Sequence, residues 1–219
     1  MLSLLTSDQT RLVLEAALEH ATLSLSSVGA AVVVGIPIAW LLSHTRLCDR
    51  LGDTILHVLY AFPFVGLLGL AIGAHGKGAA AVNILVGVYA LVPVVCCTSR
   101  GMRRVDQTTL KACRSMGLSE VRLFFLLKLP QSMPFFLEGL RLALLAALAL
   151  VALGGFVGVG GLGNLIFTGI VQNRPAHCLA GGTVLCLGAL GLNEVLKALR
   201  WRFERFEQQP LSESNVLSF

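Results

Sequence analysis

The chain has 219 residues, of which 55% are hydrophobic and only 13% charged, and its mean hydropathy is +0.79. Soluble domains carry about 25% charged residues, so this composition excludes a disordered chain and does not suit a water-soluble globule, whose surface would be one large apolar patch. Lysine and arginine outnumber the acids 17 to 12, a net charge of +5, and the meaning of that excess depends on where the charges lie.

In chain order, residues 9–20 read as a short amphipathic interfacial helix, with Leu12, Ala16 and Glu19 at helical spacing. Residues 1–20 as a whole read as an external segment. No cleavable leader is expected, because residues 1–7 lack a basic stretch and Asp8 and Arg11 interrupt any apolar run before Ala21. Beyond this point the charges delimit five uncharged stretches. Glu19 to Arg46 encloses 26 residues, Asp53 to Lys77 encloses 23, and Lys77 to Arg100 encloses 22. Arg141 to Arg174 encloses 32, and Arg174 to Glu194 encloses 19. A helix rising ~1.5 Å per residue needs about 20 apolar residues to cross a bilayer core. The expectation is an all-α integral membrane protein with five transmembrane helices, near 21–43, 55–73, 79–99, 135–157 and 177–197. The 32-residue stretch is too long for one crossing and should hold a helix plus a non-helical or re-entrant piece.

Alternating crossings put residues 44–54, 100–134 and 198–219 on one side. With Arg141 and Lys197 at the adjoining helix ends, that side carries fourteen basic residues, against Arg11, Lys77 and Arg174 on the other. Positive charge accumulates in cytoplasmic loops, so the N-terminus is expected outside and the C-terminus in the cytoplasm. The transmembrane domain then spans 21–205, with a cytoplasmic loop at about 100–134 and a cytoplasmic tail at 206–219. The +5 is therefore a topology signal, not a nucleic-acid footprint, which would need a soluble basic face interleaved with aromatics.

Several chemical motifs fail on context. Gly158 to Gly163 fits G-x-G-x-x-G but lies between membrane spans, and the next acid is Glu194. Gly76-Lys77-Gly78 has no Ser or Thr after the lysine and an alanine at position 71, so it is no phosphate loop. The five histidines are scattered, and the six cysteines lack zinc spacing and read as small apolar residues, so neither a metal site nor a disulfide is expected. The centres of the proposed spans hold no ionisable residue, where a self-powered carrier would place its relay. Pro37, Pro63 and Pro93 fall in spans as bend points. Glu138 and Arg141 sit three apart, close enough to pair structurally. Gly154, Gly155, Gly158, Gly160, Gly161 and Gly163 follow the fourth span, either to pack an outer gate closely or as a flexible turn.

The most informative segment is the long basic loop. It reads Leu110-Lys111-Ala112-Cys113-Arg114-Ser115-Met116-Gly117, then nine residues, then Leu127-Lys128-Leu129-Pro130. Small residues at Ala112 and Cys113 let a short helix lie close to a partner groove, and Gly117 can take the backbone angle that ends it. Ser119 caps a second helix expected to run through Leu127 until Pro130 breaks it. The segment resembles the coupling loop of ABC-importer permeases, whose pattern is E-A-A, three residues, Gly, nine residues, then I-x-L-P. Ala112, Gly117, Leu129 and Pro130 match, while Lys111, Cys113 and Leu127 replace the glutamate, an alanine and the isoleucine. Lys111 reverses the family's charge at its position.

Further likeness is to osmoprotectant permeases (glycine betaine, choline and carnitine): Glu19-His20, Ser24-Leu25, Gly35-Ile36-Pro37, Leu91-Val92-Pro93, Gly139-Leu140-Arg141 and the block from Gly160 to Gly169. The methionine-importer permeases share the five-span plan, the loop and a Gly-Gly-Leu-Gly block, so an amino-acid importer is the alternative. Ala61-Phe62-Pro63-Phe64 is bulkier than the osmoprotectant pattern. The resemblance implies the type I importer permease fold in a bacterial inner membrane, a pore built with a second permease copy or a sister permease, and solute delivery by a periplasmic or tethered binding protein. It also implies a cytosolic ATPase pair gripping the loop at Lys111, Ala112, Cys113, Met116, Gly117, Leu129 and Pro130. ATP and magnesium would belong to that ATPase, with no cofactor on this chain. Gate or pore positions would include Pro63, Pro93, Gly154, Gly155, Gly158 and Gly161. Rival readings are a self-sufficient channel or secondary carrier, or a membrane scaffold; an enzyme lacks any polar catalytic cluster.

Overall fold

The computed structural model describes residues 7–45, 54–55, 58, 63–75 and 78–207. Among them the chain is built of helices: α1 (Ser7–Leu42), α2 (Phe64–His75), α3 (Ala79–Arg103), α4 (Gln107–Ser115), α5 (Glu120–Leu123), a π-helical turn (Phe124–Lys128), α6 (Leu129–Gly154), α7 (Gly161–Val171) and α8 (Pro175–Glu207). Among the described residues four helices are long and apolar enough to cross a bilayer: Gln9–Leu42, Ala79–Arg103, Glu120–Val157 and Pro175–Phe203. Of the expected second span, 55–73, the described helix is α2, at 12 residues about 18 Å long; positions 56–57 and 59–62 lie outside the described residues.

Two expectations change at this level. Residues 9–20 are not a separate interfacial helix. They are the first third of α1, which runs unbroken for 36 residues. Nothing near Ala21 ends a helix, and the Thr22 hydroxyl donates back to the Leu18 and Glu19 carbonyls instead of competing with the helical pattern. Nor does Pro130 break the chain. The helical rod runs from Glu120 to Val157, because the turn before the proline widens. The Leu129 N–H donates to the Phe124 carbonyl, five residues back. This π turn relieves the clash a proline ring makes with the carbonyl four residues earlier. Pro130 then sits in the first turn of α6, directly after the widened turn.

The bundle is organised around α3 and α6, which run antiparallel with close contacts at three levels. A Cβ on Gly154 would meet Val82 at 3.1 Å, one on Gly139 would meet the Pro93 carbonyl at 2.7 Å, and one on Gly101 would meet Phe135 at 2.7 Å. In a bilayer, lipid is as apolar as leucine, so helices associate through such close packing. Ala143, Ala147, Val82, Val86, Ala90 and Val94 fill the seam and are buried. α1 lies alongside, with the Ser27 hydroxyl 3.0 Å from the Asn83 side-chain oxygen. Tyr89 stacks edge-on against Phe64 of α2 at 5.6 Å.

After α6 the chain turns through a 3-10 segment (Gly155–Val157), with Gly158 at φ +75° and Gly160 at φ +100°. The short α7 follows, about 16 Å long. The 32-residue uncharged stretch thus holds the end of one long apolar helix and a second, short one. α7 ends at Asn173 in the left-handed region, φ +53°, where the Arg174 N–H reaches the Gly169 carbonyl at 2.7 Å. Pro175 then starts α8, a favoured first helical position.

Candidate functional site

The end of the bundle holding the end of α1, α4, α5 and the start of α6 gathers the basic side chains expected on one side. Its outermost element is α4. Asp106 caps it, accepting from the Thr109 N–H and hydroxyl at 2.9 Å each. These donors, the backbone ones first, hold its carboxyl below the usual aspartate range. At the other end, the Gly117 N–H donates to Arg114 at 2.9 Å and the Leu118 N–H to Cys113 at 3.2 Å. Gly117 has φ +82° with no atom within 4 Å of where a Cβ would stand. The helix is thus closed by paired backbone bonds around a left-handed glycine, and Leu118 and Cys113 pack on the same small cluster as Val105, Leu110 and Leu123. Ser119 starts α5, its hydroxyl accepting from the Arg122 N–H at 3.4 Å.

The cluster anchors one face of α4 and leaves the other in the open. Lys111, Ala112 and Gly117 are exposed and Cys113 is half-buried, while Met116 is 78% exposed. Beyond the turn, Val121, Phe125 and Leu126 are exposed as well. Leu129 is half-buried and Pro130 exposed. The Arg114 Nε lies 2.7 Å from Glu120, tying α4 to α5, and this carboxylate holds the Arg114 pKa above its ordinary value. α5 is continuous with α6 through the π turn, and the cluster of Val105, Leu110 and Leu123 packs α4 against α5.

Glu138 and Arg141 do pair, at 2.6 Å. Glu138 also bonds Arg200 on α8 at 2.6 Å, and Arg141 reaches the Asn193 side-chain oxygen at 3.4 Å. The pair therefore fastens α6 to α8 near the basic end, which the i, i+3 spacing alone did not reveal.

At the far end, three of the expected gate positions form one junction. Gly154 faces Val82. A Cβ on Gly155 would overlap Asn164 and Gly163 at 2.2 Å, and one on Gly163 would meet the Ala152 carbonyl at 2.1 Å. Gly161, at φ +70°, lies against His20. Four of the six glycines, Gly154, Gly155, Gly161 and Gly163, are buried close approaches. Gly158 is exposed and turns the chain. Pro93 lies within α3 at the level of Gly139, and Pro63 is exposed just before α2, its carbonyl accepting from Gly66 and Leu67.

Two residues at this junction escaped the sequence reading as contacts. The Glu19 carboxylate accepts from the Gly161 N–H at 2.8 Å, and His20, 2% exposed, has its Nε2 3.1 Å from the Leu148 carbonyl. Together they tie α1 to α7 and α6 across more than 120 residues of sequence. No local signal identifies them. A cavity of about 270 Å³ lined by His20, Ser24, Leu144, Leu148, Leu162 and Gly188, among others, opens beside them.

Comparison with known proteins bears on this arrangement. Residues 31–201 match the family described as binding-protein-dependent transport system inner membrane component. A carnitine transport permease protein of Listeria monocytogenes is 29% identical over 184 residues, 84% of each chain. A choline transport system permease protein of Bacillus subtilis is 30% identical over 173 residues, 78% of this chain and 76% of its own. Among solved structures, the MetNI methionine ABC transporter in an inward-facing conformation is similar with TM-score 0.78 at 18% identity, covering 91% of this chain and 99% of that one.

Proposed function

This chain belongs to the family of binding-protein-dependent transport system inner membrane components, and on that premise we propose that it forms the solute path of an ATP-driven importer for an osmoprotectant or other quaternary amine. The relatives named for carnitine and choline transport support that substrate class. A methionine-type amino acid is the second reading, favoured by the likeness in fold to a methionine transporter.

In this reading the chain crosses the membrane five times, α2 belonging to the second crossing. Its N-terminus is outside and its C-terminus in the cytoplasm of a bacterial cell. Two permease copies, or this chain and a sister permease, enclose the pore, and a free or tethered binding protein delivers the solute. The chain itself hydrolyses nothing; ATP and magnesium are bound by a separate cytosolic ATPase pair.

The observation that carries the reading is the exposed face of α4, with Lys111, Ala112 and Met116 open and the opposite face anchored on Leu110. A partner that grips this face grips a lever rigidly joined to α6. Because α6 packs against α3 at Gly139 and Gly101, displacement of α4 swings both spans. The junction of Gly154, Gly155 and Gly161 with α1 lies at the other end of the same rod and serves as the outer gate, and Pro63 and Pro93 are candidate pore or hinge positions.

Gly117→Val tests the docking role. The left-handed angle costs a residue with a Cβ about 1–2 kcal/mol, more when β-branched, which opens the end of α4. The expected outcome is a permease that still inserts but no longer co-purifies with the ATPase. Normal complex formation and uptake would defeat the assignment.

A further inference from the structure

Beyond the docking helix, one buried charge joins the lever to a helix that the lever does not otherwise contain. Lys128 closes the π turn and is only 5% exposed. Its Nζ lies 3.4 Å from His44 Nε2 and 3.8 Å from Glu120 Oε2. The tautomer of His44 follows from its other nitrogen. Nδ1 is 3.0 Å from the Trp40 carbonyl and 3.3 Å from the Leu41 carbonyl, and carbonyls only accept, so Nδ1 carries the proton. Nε2 therefore presents its lone pair to the ammonium. Glu120 uses its other oxygen for Arg114. A continuous polar path thus runs from Arg114 on α4, through Glu120 and Lys128, to His44 just past the end of α1.

Two neighbouring contacts reinforce the junction. The Trp40 ring of α1 lies 5.5 Å from Phe124 in the π turn, and Arg103 of α3 donates to the Thr45 carbonyl. A buried ammonium cannot lose its partners cheaply, because its charge would be left uncompensated away from water. If Glu120 moves with α4, Lys128 must follow it, and His44 must follow Lys128 or leave it stranded. The π turn sets the angle between α5 and α6, and so fixes where this lysine points.

We propose that Lys128 is a positioning residue that transmits displacement of the ATPase-docking helix to the end of α1, so that α1 moves with α3 and α6 and does not stand as a fixed wall. This rests on the docking role proposed above for α4. The test uses the complete transporter, with native cysteines replaced and spin labels at Leu41, exposed on α1, and Leu190, exposed on α8, the helix that Glu138 and Arg200 fasten to α6. The label-to-label distance is measured by pulsed electron spin resonance with and without a trapped ATP analogue. In the wild type the two labels should move together and the distance should stay constant. Lys128→Met should let α6 and α8 move without α1 and so introduce a nucleotide-dependent shift on the order of 2 Å, the scale of helix shifts in such transitions, while the ATPase remains bound, and Lys128→Arg should restore the constant distance. Should the methionine variant fail to assemble, His44→Phe removes the acceptor without touching the docking segment and should also introduce the shift. A constant distance in Lys128→Met or His44→Phe, or a shift in the wild type, overturns the proposal. Failure of the ATPase to bind the wild type would instead overturn the docking reading beneath it.

Discussion

Replacing Gly139 by alanine is a severe test of the α3–α6 seam, because the space for the added atom is already occupied by backbone. The new Cβ would stand 2.7 Å from the Pro93 carbonyl oxygen, 3.0 Å from Cys97 Cβ and 3.2 Å from Val94 Cα. Neither the carbonyl nor the Cα can rotate away as a flexible side chain would, so the two helices must separate by several tenths of an ångström. Attraction falls steeply over such a gap, and every contact along the seam shares the loss. Overpacking of this kind costs about 1–3 kcal/mol, partly offset by the ~0.5–1 kcal/mol that alanine gains over glycine within a helix. The net expectation is destabilisation of about 1–2 kcal/mol. Gly29→Ala is the control, since no atom lies within 4 Å of its added Cβ, and it should be neutral or stabilising by up to ~1 kcal/mol. Thermal unfolding in detergent, followed by loss of the monodisperse permease peak, should rank the control at or above wild type and Gly139→Ala well below. Equal midpoints for the two variants would refute the close-approach argument.

Other predictions concern α4. At Gly117, asparagine tolerates the left-handed region better than alanine, and alanine better than valine. ATPase co-purification should therefore fall in the order Gly, Asn, Ala, Val, with an order set by side-chain size at Ala112 instead if surface shape alone matters. The Asp106 cap is pH-dependent in a calculable direction. Its folded pKa is held below the ordinary aspartate value by the hydrogen bonds from the first turn, so the stability it adds is fully present above that ordinary value and is lost as pH falls through the lower folded pKa. Hydrogen exchange of residues 107–110 should stay slow from neutral pH down through the ordinary aspartate range, and Asp106→Ala should speed it throughout that range. Unchanged protection in Asp106→Ala would refute the capping role.

Local chemistry was readable in the sequence where one residue decides one backbone feature. Gly117 had to end a helix and Ser119 had to start one, and both do. The long uncharged runs placed α3, α6 and α8 because length and hydropathy are properties of the chain alone. The continuity through Pro130 was not readable, since it depends on a carbonyl five residues back accepting the Leu129 N–H instead of on the proline itself. Glu19 with Gly161, and Lys128 with His44, are separated by 142 and 84 residues. Nothing in either segment names its partner; only the packing of α1 against α6 and α7 does. The glycines after α6 were legible as a group, but whether they turn freely or pack tightly depends on neighbours as close as the Ala152 carbonyl.

The most direct measurement is site-specific crosslinking from the most exposed apolar residue at the end of α4, the segment proposed to meet the ATPase. With a photoreactive amino acid in place of Met116, which is 78% exposed, illumination of the assembled transporter should yield a covalent adduct with the nucleotide-hydrolysing subunit. The same probe at Val171, at the end of α7 and 84% exposed, should yield none. An adduct to the ATPase from position 171, or none from position 116 in a transporter that still hydrolyses ATP and takes up solute, would contradict the account.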